Sequence, residues 1–267
     1  MKAVYVILIY GNNLGSNCMK IACIIPARMK STRFPGKPLA PIDGVPMIVR
    51  TYERVKSVGY DWSDLCIATD SHEIVAVCKD FEIPTIMTRP DHPTGTDRIY
   101  EAVQSLDCDY VINVQGDEPI IPQENIMTIL QIVDVEKGCY PPEVINALTE
   151  ATPEEVANPN IIKAVTYGGS ANGYLMYMSR YGVPYPKSNV ENKWYKQVCI
   201  YGFSLEALNW FYKFGLRYPE TIEGIEILRF LQDPRYIPRM VEVNPGSISV
   251  DVPEDVLKVE AALSAGY

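Results

Sequence analysis

The chain has 267 residues, a formal net charge of −9, and 47% hydrophobic against 21% charged residues. That length suits one large domain with a substantial core, and the acidic balance argues against a nucleic-acid-binding surface. Seven cysteines scattered without a C-x-x-C pair argue against a disulfide framework or a zinc site and suit a reducing cytoplasm.

At the start, Ala3–Tyr10 is an apolar run too short to span a bilayer, and Gly11–Asn17 offers no convincing small-x-small cleavage site. Met19 stands just before the first convincing strand. The expectation is that Met19 is the natural start, residues 1–18 being an upstream extension and 19–267 a single domain. Ile21–Ile25 reads as a buried strand that breaks at Pro26. Arg28, Lys30, Arg33 and Lys37 follow within ten residues, and Pro26, Pro35, Gly36 and Pro38 keep this segment from becoming a regular helix.

Asp43-Gly44 reads as a turn, Pro46–Ser57 as a helix and Leu65–Thr69 as a second buried strand ending at Asp70. Glu73–Phe81 is helical and Pro84–Met87 a third strand. Asp97–Leu106 is helical, with Thr96 as its N-cap. Tyr110–Val114 is a fourth strand, running into Gln115-Gly-Asp-Glu-Pro119 and a helix over Pro122–Val133. This alternation predicts an α/β fold with a mostly parallel sheet, whose ligands sit beyond the carboxyl ends of the strands.

From about residue 140 the pattern changes. Ala164–Tyr167 and Gly173–Ser179 look like antiparallel strands, followed by the proline-containing loop Gly182–Pro186 and a strand over Lys196–Phe203. Leu205–Phe211 and Ile222–Leu231 read as helices, and Ser249–Val256 leads into a C-terminal helix. No internal repeat or low-complexity linker interrupts the chain.

Three segments carry the chemistry. The first is the array Arg28, Ser31, Thr32, Arg33, Gly36 and Lys37, placed directly after a core strand. Cations and backbone N–H groups held this way suit a polyphosphate, although the Walker spacing is absent. The second is Asp117, beside a glycine at a strand end, which either holds a nucleotide-bound metal or caps the next helix. The third is Asp251, which either caps the C-terminal helix or shares that metal with Asp117. Of the two histidines, His92 lies close to prolines on both sides and reads as structural. With no nucleophile motif, a Ser-His-Asp or Cys-His mechanism is disfavoured. In-line nucleotidyl transfer needs only positioning, cations and Mg²⁺.

At these residues the chain resembles the CMP-Kdo synthetases, the 3-deoxy-manno-octulosonate (Kdo) cytidylyltransferases. The resemblance is carried by Ile25-Pro-Ala-Arg28, Ser31-Thr-Arg33-x-Pro-Gly-Lys-Pro-Leu39, Ala68-Thr-Asp70, Met87-Thr-Arg89-x-Asp-His92, Gly95-Thr-Asp-Arg98 and Asn113-Val-Gln-Gly-Asp-Glu-Pro119. Ile200-Tyr-Gly202, Glu223-x-Ile-Glu226, Leu228-Arg229 and Val250-Asp-x-Pro-Glu-Asp255 complete it, in the family's order. It implies a Rossmann-like twisted sheet of the nucleotide-diphospho-sugar transferase type. It also implies attack of the anomeric hydroxyl of Kdo on the α-phosphate of CTP, giving CMP-Kdo and pyrophosphate.

By position, the resemblance places Arg28 and Lys37 on the triphosphate, with Ala27, Ser31 and Arg33 beside them. It places Asp117 and Asp251 on Mg²⁺, and Ala68, Thr69, Asp70, Gly95 and Thr96 around the cytidine. Arg98, Gln115, Arg180, Gln197, Tyr201, Glu223 and Glu226 would surround the sugar acid. A homodimer through roughly residues 140–215 and a cytoplasmic enzyme of lipopolysaccharide biosynthesis are further implications.

Two departures bear on the acceptor. The family commonly has His-x-Gly-Ile-Tyr-Gly where this chain has Gln197, and Glu-His-Ile-Glu where it has Gly224. The acceptor is therefore Kdo, or alternatively 8-amino-Kdo or another 2-keto-3-deoxy sugar acid. A nucleotidyltransferase acting on a sugar phosphate would need further cations, and a glycosyltransferase would usually offer an Asp-x-Asp motif. A catalytically inactive nucleotide-binding protein should have lost Lys37, Asp117 or Asp251.

Overall fold

The computed structural model describes residues 19–31, 33–135, 141–169, 171–188 and 193–266. Residues 1–18, expected to be an upstream extension, and the hydroxyl of Thr32 lie outside the described residues. In chain order the strands are β1 (Ile21–Ala27), β2 (Pro41–Ile42), β3 (Val45–Pro46), β4 (Asp64–Thr69), β5 (Thr85–Met87), β6 (Tyr110–Val114), β7 (Val144–Ala151), β8 (Lys163–Thr166), β9 (Leu175–Ser179), β10 (Trp194–Ser204) and β11 (Arg239–Glu242). The α-helices are α1 (Met47–Lys56), α2 (His72–Asp80), α3 (Gly95–Val103), α4 (Gln123–Val135), α5 (Pro153–Ala157), α6 (Leu205–Phe214), α7 (Glu220–Glu223) and α8 (Pro253–Ser264).

The main sheet has nine strands in the order β11-β7-β10-β6-β1-β4-β5, with β8 beside β10 and β9 beside β8. Strands β6, β1, β4 and β5 run parallel, as the alternation of strands and helices requires. Strand β10 runs antiparallel to β6 and β7, and β8 and β9 extend this antiparallel part. The fold is thus α/β with a mostly parallel centre, as expected. Both faces of β1 are covered, which explains its unbroken apolar run. Ile21, Cys23 and Ile25 pack with α1 and α4 residues, whereas Ala22 and Ile24 pack toward α3 and α6. Among the described residues no helix is long and apolar enough to cross a membrane.

Four local expectations change. The first strand does not stop at Pro26 but continues to Ala27. Pairing of β1 with β6 ends at Ile24↔Asn113, while pairing with β4 continues to Ala27↔Thr69. Pro26 therefore stands where the sheet has opened on one side, a position that tolerates its missing N–H. The N-cap of α3 is Thr94, not Thr96, because the Thr94 side chain accepts from the Asp97 N–H. The helix expected over Ile222–Leu231 is broken at Gly224, which adopts φ 64° and separates α7 from a 3-10 helix over Glu226–Gln232. Strands β7 and β11 form the far side of the sheet, where the sequence had suggested no strand.

The Asp43-Gly44 turn joins β2 and β3 with φ of 44° and 75°, the two positive values that a tight two-residue hairpin requires.

Candidate active site

The basic loop is shaped by its own backbone. Met29 O accepts from Gly36 N, Phe34 O accepts from Lys37 N, and Ser31 Oγ accepts from Phe34 N. Gly36, at φ 71°, turns the chain into a short 3-10 helix over Lys37–Leu39. This turn sends the Lys37 side chain inward. Its Nζ donates to Asp117 Oδ2 at 2.6 Å and to Val250 O at 2.9 Å, and lies 3.8 Å from Asp251 Oδ1. Arg33 reaches the same place from outside, donating to Asp251 Oδ1 at 2.8 Å and to Asn160 Oδ1 at 3.2 Å.

Two carboxylates far apart in sequence therefore face one ammonium. Neither acts as a helix cap. Asp255 closes the start of α8, its Oδ2 accepting from the N–H groups of Asp251 and Val252. The Asp251 carboxylate is left to face the cleft. The Asp117 and Asp251 segments are tied together by Val250 N donating to Asp117 O. Gly116 makes the close approach possible: a Cβ there would lie 2.9 Å from both Ile48 Cδ1 and Pro26 O. Beneath Asp117, Glu118 is buried and receives the Ser247 hydroxyl. Burial and the neighbouring Asp117 push its carboxyl up to about 8.

Arg33, Lys37, Gly116, Asp117 and Asp251 line a cleft of about 730 Å³ that also takes in Arg28, Ser31, His92 and Arg98. Arg28 is exposed at its edge. Arg98 is buried, donates to Thr88 Oγ1 and lies 3.5 Å from Asp70 Oδ1. Its burial lowers the guanidinium below its usual range. His92 is pinned through Nε2 to the Glu101 carboxylate, and its buried Nδ1 has no partner among the described residues. His92 borders the cleft while its side chain stays buried against Glu101, which agrees with the structural role expected of it.

A second cavity of about 490 Å³ shares Arg28, Thr94, Gly95, Gln115 and Asp117 with the first and continues to Gln197, Cys199, Tyr201 and Glu226. Glu226 is half-buried in its wall, accepting from Thr96 N at 3.1 Å, with Gln115 Nε2 3.5 Å away. Burial raises its carboxyl above the usual range. Gly95 lets the start of α3 approach, since a Cβ there would lie 3.3 Å from Gln115 Nε2.

The structure thus gathers Ala27, Arg28, Ser31, Arg33, Lys37, Gly95, Asp117 and Asp251 at one cleft. Gln115, Gln197, Tyr201 and Glu226 lie in the adjoining cavity. Arg98, expected at the sugar, lines the basic cleft, as does Gln115. Ala68 and Thr69 are fully buried in β4, behind the cleft surface, and Thr96 meets Glu226 through its backbone N–H. Arg180 and Glu223 line neither cavity. The Arg180 guanidinium donates to the carbonyls of Glu223, Gly224 and Pro159, and Glu223 accepts from Ser179 Oγ and Arg180 N. Sequence reasoning missed Asn160, Ser247 and the Val250 carbonyl. These act through contacts across more than a hundred residues or through the backbone, for which the sequence has no local signal.

A family model described as cytidylyltransferase matches residues 22–237. The 3-deoxy-manno-octulosonate cytidylyltransferase of Chloroherpeton thalassium is 38% identical over 248 residues, spanning 92% of this chain and 98% of its own. The enzyme of that name from Francisella philomiragia is 39% identical over 250 residues, spanning 90% and 97%. The chain belongs to the 3-deoxy-manno-octulosonate cytidylyltransferase family. Its members are nucleotidyltransferases, also known as CMP-Kdo synthetases. A solved structure titled as a CMP:2-keto-3-deoxy-manno-octonic acid synthetase complexed with CTP superimposes with a TM-score of 0.83 at 32% identity, covering 93% of this chain and 100% of that one. An inositol-1-phosphate CTP transferase from T. maritima, at 12% identity and a TM-score of 0.64, shares the fold.

Proposed function

We propose that this protein is a Mg²⁺-dependent cytidylyltransferase that joins CMP from CTP to the anomeric hydroxyl of Kdo and releases pyrophosphate. The observation that carries the reading is the convergence of Lys37 and Arg33 on Asp117 and Asp251, at the mouth of a cavity lined by Gln115 and Glu226. The sequence relatives of that name and the CTP-bound synthetase support it.

The residues fit Mg²⁺. Two carboxylates lie within reach of one cation, as the Lys37 ammonium between them indicates, and both are hard oxygen donors. Among the described residues no group of three or more His, Cys, Asp or Glu side chains is placed to hold a metal ion by itself. Nucleotide phosphates and water would therefore complete the shell. When bound, the ion supplies charge neutralisation at the phosphate oxygens.

Arg28, Ser31, Arg33 and Lys37 bind the triphosphate, and the lysine faces the leaving group as its charge develops. Asp70 and Arg98 flank the base side, with the start of α3 at Gly95 closing it. Gln115, Tyr201 and Glu226 hold the sugar acid. Arg28, common to both cavities, is the cation available to its carboxylate. A sugar phosphate would need more positive charge than Arg28, which is the one Lys or Arg among the described residues lining the second cavity. The reading includes a homodimer through roughly residues 140–215, where Tyr174, Met176, Tyr181 and Tyr185 are exposed, and a cytoplasmic setting.

The test is pyrophosphate release with CTP, UTP or ATP and Mg²⁺ across Kdo, 8-amino-Kdo, other 2-keto-3-deoxy acids and sugar phosphates. CTP with a sugar acid should be turned over and Asp117→Asn should abolish it. Release with sugar phosphates but with no sugar acid would overturn the assignment.

A further inference from the structure

The acceptor cavity contains a side chain whose orientation is dictated by the fold beneath it. Strand β10 carries an irregularity between Val198 and Tyr201, where its register against β7 shifts so that Cys199 and Ile200 are extra residues. Such a bulge leaves carbonyls without ladder partners. Asn146, fully buried on β7, fills the gap: its Nδ2 donates to Val198 O at 3.1 Å and to Ile200 O at 2.9 Å.

Only the amide nitrogen can face two carbonyl oxygens, so the Asn146 Oδ1 must point the other way, as an acceptor. Gln197 Nε2 donates to it at 2.9 Å. The Gln197 amide is thereby fixed in turn, nitrogen inward and oxygen outward. Gln197 lines the acceptor cavity with Cys199 and Tyr201. Among the described residues nothing donates to its Oε1.

We propose that Gln197 reads the sugar acid through Oε1 as an obligate hydrogen-bond acceptor, with Asn146 as the positioning residue that prevents the amide from turning over. The inference rests on the sugar-acid reading above and deepens it. The group read is a donor on the sugar, either a hydroxyl or a protonated amine. Gln197 lies four residues from Tyr201 toward the start of β10, beyond the carboxyl end of β6, whose last residue Val114 pairs with Ile200. A group at that position that only accepts, such as fluorine, or that is blocked, such as a methyl ether, would meet Oε1 without a proton to share.

The experiment is steady-state kinetics of the full chain with CTP and a series of Kdo analogues, each hydroxyl replaced in turn by fluorine, methoxy or amine. At one position, fluorine and methoxy should lower kcat/KM by about tenfold or more while amine is tolerated, since the bound sugar would cover Oε1 and leave it unpaired. Gln197→Met should erase that position's preference and leave the KM for CTP unchanged. Asn146→Ala should weaken the preference by freeing the amide, again without affecting CTP. Gln197→Met keeps the test decisive if Asn146→Ala does not fold. Equal use of all analogues by the parent chain, or a preference that survives Gln197→Met, would overturn this inference alone. Failure of unmodified Kdo and every related acid to react would overturn the functional reading and this one with it.

Discussion

Replacing Lys37 with methionine isolates the role of the ammonium between the two carboxylates. The side chain is 15% exposed and makes three contacts: Asp117 at 2.6 Å, Val250 O at 2.9 Å and Asp251 at 3.8 Å. Methionine keeps the stem's packing and removes only the charge and donors. In the free protein the loss should cost about 1–2 kcal/mol, since water reaches both carboxylates and replaces part of the interaction. In the reaction the loss should be greater. A donor aimed at charge that develops in the transition state is worth about a hundred- to a thousandfold in kcat. The fall should appear in kcat more than in the KM for the sugar acid. The same variant should gain more thermal stability from Mg²⁺ without nucleotide than the parent does, because no ammonium competes for the carboxylates. Pyrophosphate release and thermal unfolding across a Mg²⁺ titration test both. Near-parent kcat, or an unchanged Mg²⁺ response, would refute the reasoning that Lys37 marks the cation position.

Other consequences are as specific. Arg229 is fully buried between Asp97 and Glu220 and lies over the Phe211 ring, so Arg229→Met should cost about 3–5 kcal/mol in chemical denaturation by stranding two carboxylates. A cost under about 1 kcal/mol would show the triad to be dispensable. Gly116→Ala, whose Cβ would lie 2.9 Å from both Ile48 and Pro26 O, should lower stability by about 1–3 kcal/mol and displace Asp117, with turnover falling in parallel. Burial pushes the Cys66 thiol up to about 12 and those of Cys78 and Cys108 up to about 11. These thiols should resist alkylation in the native protein at pH 8 and react once it unfolds. Because the unfolded chain loses those protons from about pH 9, unfolding stability should fall as pH rises from 9 toward 11, measured by urea titration.

The parallel core was legible because β1 is an unbroken apolar run and β4 and β6 are short, mostly apolar stretches that alternate regularly with helices. The far side was less so. In β7 the stretch Val144-Ile-Asn-Ala-Leu148 lies outside the regular alternation of strands and helices, and its Asn146 has no explanation within the strand. The structure explains it as the filler of a bulge in the partner strand, information held by β10 rather than β7. The short β11 has no apolar run of its own and is a strand only because β7 offers it an edge. Gly224 looked tolerable inside a helix until its positive φ ended α7 there.

At the site, Lys37, Asp117 and Asp251 were legible because strand ends, glycines and prolines mark ligand loops. Arg180 is assigned to the sugar acid by resemblance alone; in the fold its guanidinium donates to the carbonyls of Glu223, Gly224 and Pro159. Nothing local in the sequence signals those backbone contacts.

The most direct test of the central claim follows the α-phosphorus of CTP. Phosphorus NMR of the protein with CTP, Mg²⁺ and Kdo should show a new phosphodiester joined to the sugar, with equimolar pyrophosphate, and neither signal with Asp117→Asn. Release of CDP and phosphate, or an unchanged CTP spectrum from the folded parent protein, would contradict the account.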